Sequence, residues 1–309
     1  MRRFLRGIWP AALAVAFCSG AVAQQAPAAS PPPAAPAQPG PPPFATTKVE
    51  GTDNVYIFRY QNHQAMFVVT PKGVIATDPI SYGRPQAAKT YIEEIQKITK
   101  APIKYLIYSH HHYDHIAGGQ PFKDAGAKIV AHKRTKERLE QIKDPATPLP
   151  DETFEKNRTI KLGGTTLELL YVGLNHSDST LVMRLPKEKL IFVVDFIPIE
   201  GVQFRNIPDN ASPLEYEESI KKVVAMDWDR MIPGHPYAGG RLGTKDDVRA
   251  LKAYMTDLSD AVKVAADQGK CFDAAIKEIK LPKYEKWGAY EQYLPGNIER
   301  FCEYWARGY

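Results

Sequence analysis

The chain has 309 residues, 44% of them hydrophobic and 24% charged, enough for one large domain or two small ones and wrong for a disordered chain, a collagen-like repeat or a multispanning membrane protein. Forty Lys and Arg against 35 Asp and Glu give a formal charge of +5. Without Arg2, Arg3 and Arg6 the count is 37 against 35, a near-neutral balance that gives no electrostatic case for nucleic acid or an anionic membrane as partner.

The N-terminus is basic through Arg6, apolar from Ile8 to Phe17, and ends in Ala21-Val22-Ala23 before Gln24. This is the pattern of a secretory signal peptide over residues 1–23, and it predicts a periplasmic or secreted protein. A membrane span needs about 20 apolar residues; this run is shorter and contains Pro10. No stable membrane insertion is expected after cleavage. The Arg2-Arg3-Phe4-Leu5-Arg6 run resembles a twin-arginine signal with one residue missing, so the Sec and twin-arginine routes both stay open. Bulky Phe17 before Cys18 argues against a lipid anchor. Residues 24–43 hold nine prolines, six alanines and no charge, a composition for an extended polyproline II linker. The folded domain is expected over 44–309.

Strands are predicted at 55–60, 65–70 and 73–78, where β-branched and aromatic runs are separated by turn residues. A helix carrying Tyr91, Ile95 and Ile98 follows, then a strand from Ile103 to Tyr108 that runs into Ser109-His110-His111-His112. A strand over 128–131 and a helix over 134–143 complete the first block. The second block has strands near 159–162, 166–172, 180–185 and 190–194. A helix follows from Pro213 to Met226, with Ser212 as its cap. A short strand at 230–232 runs into Pro233-Gly234-His235, and a long helix spans about 246–268. The rest, to 309, is helical. Two successive blocks of strands then helices indicate an α+β fold, two packed sheets flanked by helices, with a helical C-terminal extension from about 246. With Cys18 removed, Cys271 and Cys302 remain, an even pair that suggests one disulfide pinning the C-terminal helices; two separate buried thiols are the alternative.

The chemistry concentrates in His110-His111-His112-Tyr113-Asp114-His115. In an extended segment His110 and His112 share a face, and a turn brings Asp114 and His115 beside it. Three imidazoles and a carboxylate at this spacing are good ligands for a borderline metal such as zinc. His110-x-His112-x-Asp114-His115 resembles the H-x-H-x-D-H motif of the metallo-β-lactamase superfamily. Asn175-His176-Ser177, Val193-Val194-Asp195 and Pro233-Gly234-His235 follow in the family's order. The resemblance implies a four-layer αββα sandwich with two metals at one edge of the sheets. It implies one metal on His110, His112 and His176, a second on Asp114, His115 and His235, and Asp195 bridging both. The implied cofactors are two Zn2+, although the same shell in relatives can hold iron or a mixed pair. Asp114 is then the catalytic group that orients the attacking hydroxide and passes its proton to the leaving group. Val194 stands where the family has a small residue, and Asn175 replaces a common glycine. His63, His111 and His132 match no motif and read as non-ligands.

An Asp at position 195, where thiolate-type β-lactamases carry Cys, is similar to the glyoxalase II, lactonase, sulfatase and phosphodiesterase branches; β-lactam cleavage also stays open. The expected activity is hydrolysis of a small ester, thioester, lactone or lactam by metal-bound hydroxide. The partner is a small-molecule substrate. The segment from Phe196 to Ala211 is an expected substrate wall, with Arg205 as a candidate for a substrate carboxylate and Tyr237 as a candidate oxyanion donor. Aromatic residues from Tyr284 to Trp305 read as packing, with a dimer face or a lid over the site as the sharper alternative. Two other functions are compatible with the same residues: a diiron redox protein of the same fold, which an absorption spectrum distinguishes, and a metal-stabilised binding module without turnover.

Overall fold

The computed structural model describes residues 42–205, 207 and 212–308; the expected signal peptide and nearly all of the expected linker over 24–43 lie outside them. Among the described residues twelve strands form two sheets. The first runs β1 (Phe44–Lys48), β2 (Val55–Tyr60), β3 (His63–Thr70), β4 (Gly73–Thr77), β5 (Ile103–Ile107), β6 (Lys128–His132) and β7 (Glu152–Phe154) in sequence order. Its pairs are antiparallel up to β4 and parallel from β4 to β7. The second has the order β12-β11-β10-β9-β8, made of β8 (Asn157–Leu162), β9 (Thr165–Tyr171), β10 (Leu181–Leu185), β11 (Leu190–Val193) and β12 (Arg230–Pro233). Only β11 and β12 pair in parallel there. The sequence reading missed β1 and β7. The first pairs with β2 from Phe44 onward, and the second is a three-residue edge strand, too short to show an alternation.

Side-chain alternation along the strands sorts residues into layers. Val55, Met66, Val68, Ile75, Ile107 and Val130 of the first sheet meet Leu181, Met183, Leu185, Leu190 and Phe192 of the second in one buried cluster. The opposite face of the first sheet, with Phe58, Phe67, Val74 and Leu106, packs on α1 (Ala87–Ile98) through Tyr91 and Ile95. The opposite face of the second, with Val182, Ile191 and Val193, packs on α5 (Pro213–Ala225), α6 (Lys245–Asp267) and α8 (Tyr290–Cys302). The order is helix, sheet, sheet, helix. The predicted cap of α5 is present: Ser212 Oγ accepts from the Glu215 amide, and the Glu215 carboxylate accepts from the Ser212 amide. Short α2 (Tyr113–Ile116), α3 (Gln120–Asp124), α4 (Lys133–Ile142) and α7 (Asp273–Glu278) complete the helices used below.

A Cys271–Cys302 disulfide, spanning 31 residues, ties the segment before α7 to the end of α8. Among the described residues no helix is long and apolar enough to cross a membrane.

Candidate metal centre

The functional side chains come from loops at one edge of the two sheets. The strand β5 ends at Ile107 and releases His110, and His112 precedes the single turn of α2 that carries Asp114 and His115. His176 lies between β9 and β10, Asp195 just past β11, and His235 just past β12. The sheets are joined here by Gln64, whose amide donates to the Gly234 carbonyl and whose side chain donates to the Pro233 carbonyl at 2.7 and 2.9 Å. Asp195 has a left-handed backbone, φ 60°. That conformation is costly for a residue with a Cβ, and such outliers cluster at functional sites.

All seven residues expected as ligands converge. Asp195 Oδ2 lies 3.1 Å from His115 Nε2, 3.5 Å from His176 Nε2 and 3.6 Å from His110 Nε2, while Oδ1 lies 2.9 Å from His235 Nε2. The carboxylate therefore faces both halves of the cluster. His112 Nδ1 and His176 Nε2 approach to 2.9 Å, and His115 Nε2 and His235 Nε2 to 3.3 Å. Two groups of donor atoms result, each within 4.8 Å: His110, His112, His176 and Asp195, and His63, Asp114, His115 and His235. His63, read from the sequence as a non-ligand, belongs to the second group. Its Nε2 is 3.2 Å from Asp114 Oδ2. His111 turns to Ser179 Oγ and Asp178, and His132 to the Glu155 carbonyl.

Asp78 is a residue the sequence reading passed over. It is fully buried; Oδ1 accepts the Ser109 amide at 2.8 Å and Oδ2 stands 4.0 Å from His115 Nδ1. Burial pushes its carboxyl up to about 6. Only its place at the end of a strand hinted at this role. Arg84 donates to the Asp114 carbonyl at 2.6 Å and so braces the α2 turn. The two departures from the family pattern are accommodated locally. Asn175 is buried and donates to the Gly173 carbonyl at 3.0 Å, and Val194 packs against the side-chain-free Gly234.

The electrostatics suit a cation. Burial holds His110 well below the usual imidazole range, lowers His112, and brings His176 to about 3 and His63 to about 4. At neutral pH these rings offer lone pairs. Burial opposes ionisation of Asp195, but the His115 and His235 rings hold it well below the carboxylate range. For Asp114 burial is likewise outweighed, chiefly by the adjacent His63 ring, and its carboxyl lies at about 2. His115 is the exception: burial would lower it, but Asp195 first, then Asp114 and Asp78, lift it to about 9. A proton there substitutes for positive charge the cluster calls for. His110 Nε2 is buried with no hydrogen-bond partner among the described residues, an orphaned acceptor aimed at Asp195 that a metal ion satisfies. The donor set fits.

A cavity of about 630 Å³ opens over the cluster, with His63, His112, Asp114, His176, Asp195 and His235 on one side. Facing them are Pro198, Phe204, Pro236, Tyr237 and Tyr293, with Gly288 and Ala289. Phe204 and Tyr293 meet edge to face at 5.1 Å. The Gly288 amide donates to the Glu200 carbonyl, the Val202 amide donates to the Gly288 carbonyl, and Asn297 Nδ2 donates to the Gln203 and Arg205 carbonyls. The C-terminal extension thus supplies Gly288, Ala289 and Tyr293 to the wall, while Tyr284, Tyr290 and Phe301 of its aromatics pack in the core. Tyr237 is in the lining as expected. Arg205 is not: it is exposed and its guanidinium lies over the Phe204 ring. Ile197 and Ile199 are buried in the core beneath.

Residues 62–235 match the family model described as the metallo-beta-lactamase superfamily. Among curated proteins the chain is 25% identical over 197 residues to the 2,4-dinitroanisole O-demethylase subunit alpha of Nocardioides sp. (strain JS1661), covering 63% of this chain and 59% of that one. It is 29% identical over 147 residues to a metallo-beta-lactamase type 2 of Elizabethkingia meningoseptica, covering 45% and 57%. The chain therefore spans under two thirds of either relative. Two solved structures share the fold. A metallo-beta-lactamase from Pontibacter korlensis has TM-score 0.59 and 20% identity, covering 69% of this chain and 99% of that one. A sec-alkylsulfatase from Pseudomonas sp. has TM-score 0.67 and 17% identity, covering 84% and 50%.

Proposed function

The chain belongs to the metallo-beta-lactamase superfamily, and on that footing we propose that it is a dinuclear zinc-dependent hydrolase of small, uncharged esters, thioesters, lactones or lactams bearing an aryl or apolar group. The observation that carries this reading is the convergence of five imidazoles and two carboxylates from four separate loops beneath a cavity walled by aromatic side chains.

His110, His112 and His176 would hold one cation, and Asp114, His115 and His235 the other. When bound, the cations supply Lewis acidity, towards water and towards the scissile carbonyl. The chain's own groups do the rest. Asp195, facing both halves, offsets the repulsion between two like charges. Asp114, its carboxylate partly open to the cavity and ionised at neutral pH, accepts the proton of the attacking water and returns it to the leaving group. Phe204, Tyr237 and Tyr293 pack on the substrate and exclude bulk water. Among the described residues no lysine or arginine is in the lining, and residues 206–211 contain none. A substrate carboxylate would find no partner there, which favours neutral substrates over carboxylate-bearing lactams.

A second reading rests on the demethylase subunit, which by its name acts on 2,4-dinitroanisole, an aryl methyl ether; an aryl ring suits the Phe204–Tyr293 wall equally well. One screen tests both. Metal analysis should give close to two zinc ions per chain, and turnover should be greater for neutral aryl esters and lactones than for carboxylate-bearing β-lactams. The His112→Ala variant should lose turnover, and Phe204→Ala should lower kcat/KM for aryl substrates about tenfold while sparing small alkyl ones. Full activity after chelation overturns the hydrolase reading, and preference for a nitroaryl ether selects the second.

We propose further that the protein lies outside the cytoplasm. The N-terminal residue pattern and the Cys271–Cys302 disulfide support it, since such bonds persist in oxidising compartments. Fractionation of the producing cell, with a mature N-terminus at Gln24, is the expected result.

A further inference from the structure

Asn62 holds two imidazoles by the same ring atom. Its backbone carbonyl accepts the Nδ1–H of His235, and its side-chain Oδ1 accepts the Nδ1–H of His63 at 2.9 Å. A neutral imidazole has one N–H, so each ring, held this way, presents a bare lone pair at Nε2. Both lone pairs point into the same group of donor atoms. For His63 the nearest atom is Asp114 Oδ2, 3.2 Å away. A lone pair and an ionised carboxylate oxygen at that separation repel, unless a cation lies between them.

Three successive donor-to-donor distances in this group match those around a tetrahedral ion. Ligand bonds of about 2.0–2.1 Å place neighbouring donor atoms roughly 3.3 Å apart around one zinc. His63 Nε2 to Asp114 Oδ2 is 3.2 Å, Asp114 Oδ2 to His115 Nε2 is 3.5 Å, and His115 Nε2 to His235 Nε2 is 3.3 Å. His63 also packs its ring 4.4 Å from that of His235 and 5.0 Å from that of His115. The outward-held Nδ1, with the other nitrogen turned to the metal, is the usual way a protein orients a metal-ligating histidine.

We propose that His63 is a metal ligand, so that the second cation is held by His63, Asp114, His115 and His235. The pair of cations then has six imidazoles, one more than the sequence motifs supply, and the Asp195 carboxylate completes the set of His110, His112 and His176. The proposal rests on the dinuclear reading above.

Cobalt(II) tests it without reference to turnover. The chain is loaded with two equivalents of Co2+, and proton spectra are recorded in H2O and D2O. A coordinated imidazole gives a hyperfine-shifted, solvent-exchangeable N–H resonance, and that of His63 is sealed by Asn62. One such resonance present in the wild type should vanish in both His63→Ala and His63→Gln, with the others retained. Affinity for the second equivalent should fall at least tenfold, and unchanged circular dichroism would show that the variants fold. Identical sets of shifted resonances in wild type and both variants would overturn the proposal and leave His63 as an ion-pair partner of Asp114. Failure of the wild type to bind cobalt at all would strike the dinuclear reading itself, and the proposal with it.

Discussion

Gly234 and Val194 meet with no room for a side chain between them: a Cβ on Gly234 would stand 2.8 Å from Val194 Cγ1 and 3.0 Å from Val194 Cα. The contact locks the end of β12 to the end of β11, one residue from His235 and one from Asp195. Gly234→Ala should cost about 1–3 kcal/mol by overpacking and lower bound metal. Adding Val194→Ala should recover only part, because the backbone contact remains. Urea unfolding and metal analysis of the three variants check this.

Asp78 reaches the cluster through His115 without touching the cavity. Asp78→Asn keeps an oxygen for the Ser109 amide but removes the charge behind His115 Nδ1. Metal affinity should fall roughly 10- to 100-fold, the usual effect of losing a partner behind a ligand, with the fold intact. Competition against a chromophoric chelator measures it; an unchanged affinity would remove Asp78 from the site.

Stripped of metal, the protein should be most stable near pH 6.5. His63 and His111 lie at about 4 and His176 at about 3 when folded, all lowered first by burial, against about 6.5 unfolded. As pH falls below 6.5 the unfolded chain takes up protons that these rings cannot, so stability declines; a shift of about 2.5 units is worth roughly 3 kcal/mol. Asp78, raised to about 6 by burial, works in the opposite sense between about 4 and 6, but it is one group against several. His115, at about 9 when folded, contributes stability below 6.5 that is lost as pH rises through 9. Urea midpoints of chelated protein from pH 4 to 9.5 should trace this dome. A midpoint that rises steadily from pH 6.5 down to 4.5 contradicts it.

Reducing Cys271–Cys302 frees a 31-residue loop and should cost roughly 3 kcal/mol in the chain-entropy account. The bond anchors the end of α8, which carries Tyr293 into the cavity wall. KM for aryl substrates should therefore rise more than kcat falls. Steady-state kinetics with and without reductant give the split.

The donors on the His110–His115 turn were legible because six consecutive residues carry their own spacing, and a pattern of that kind needs no tertiary information. His176, Asp195 and His235 were legible as strand-end residues in a family order. His63 was not: a histidine beside asparagine at the β2–β3 turn looks like any polar hairpin, and it meets Asp114, 51 residues further on, only because β3 and β5 flank β4 in one sheet. Asp78 was hidden for a similar reason, since a buried carboxylate at a strand end is defined by what surrounds it. The helical periodicity of Tyr290, Leu294 and Phe301 correctly signalled core packing, yet Tyr293, between them on the same helix, faces the cavity. Pattern alone assigned it no task. Arg205 was an attractive guess from charge, and the stacking of its guanidinium on Phe204 takes it off the lining.

The cavity's two sides are written in different parts of the chain. Every donor atom precedes residue 236, whereas Gly288, Ala289 and Tyr293 come from its last twenty-two residues. Reactivity and preference are therefore separable traits: exchanging the terminal helices would present the same ion-holding floor to a differently shaped guest, a natural point at which new selectivity can arise without disturbing the ligands.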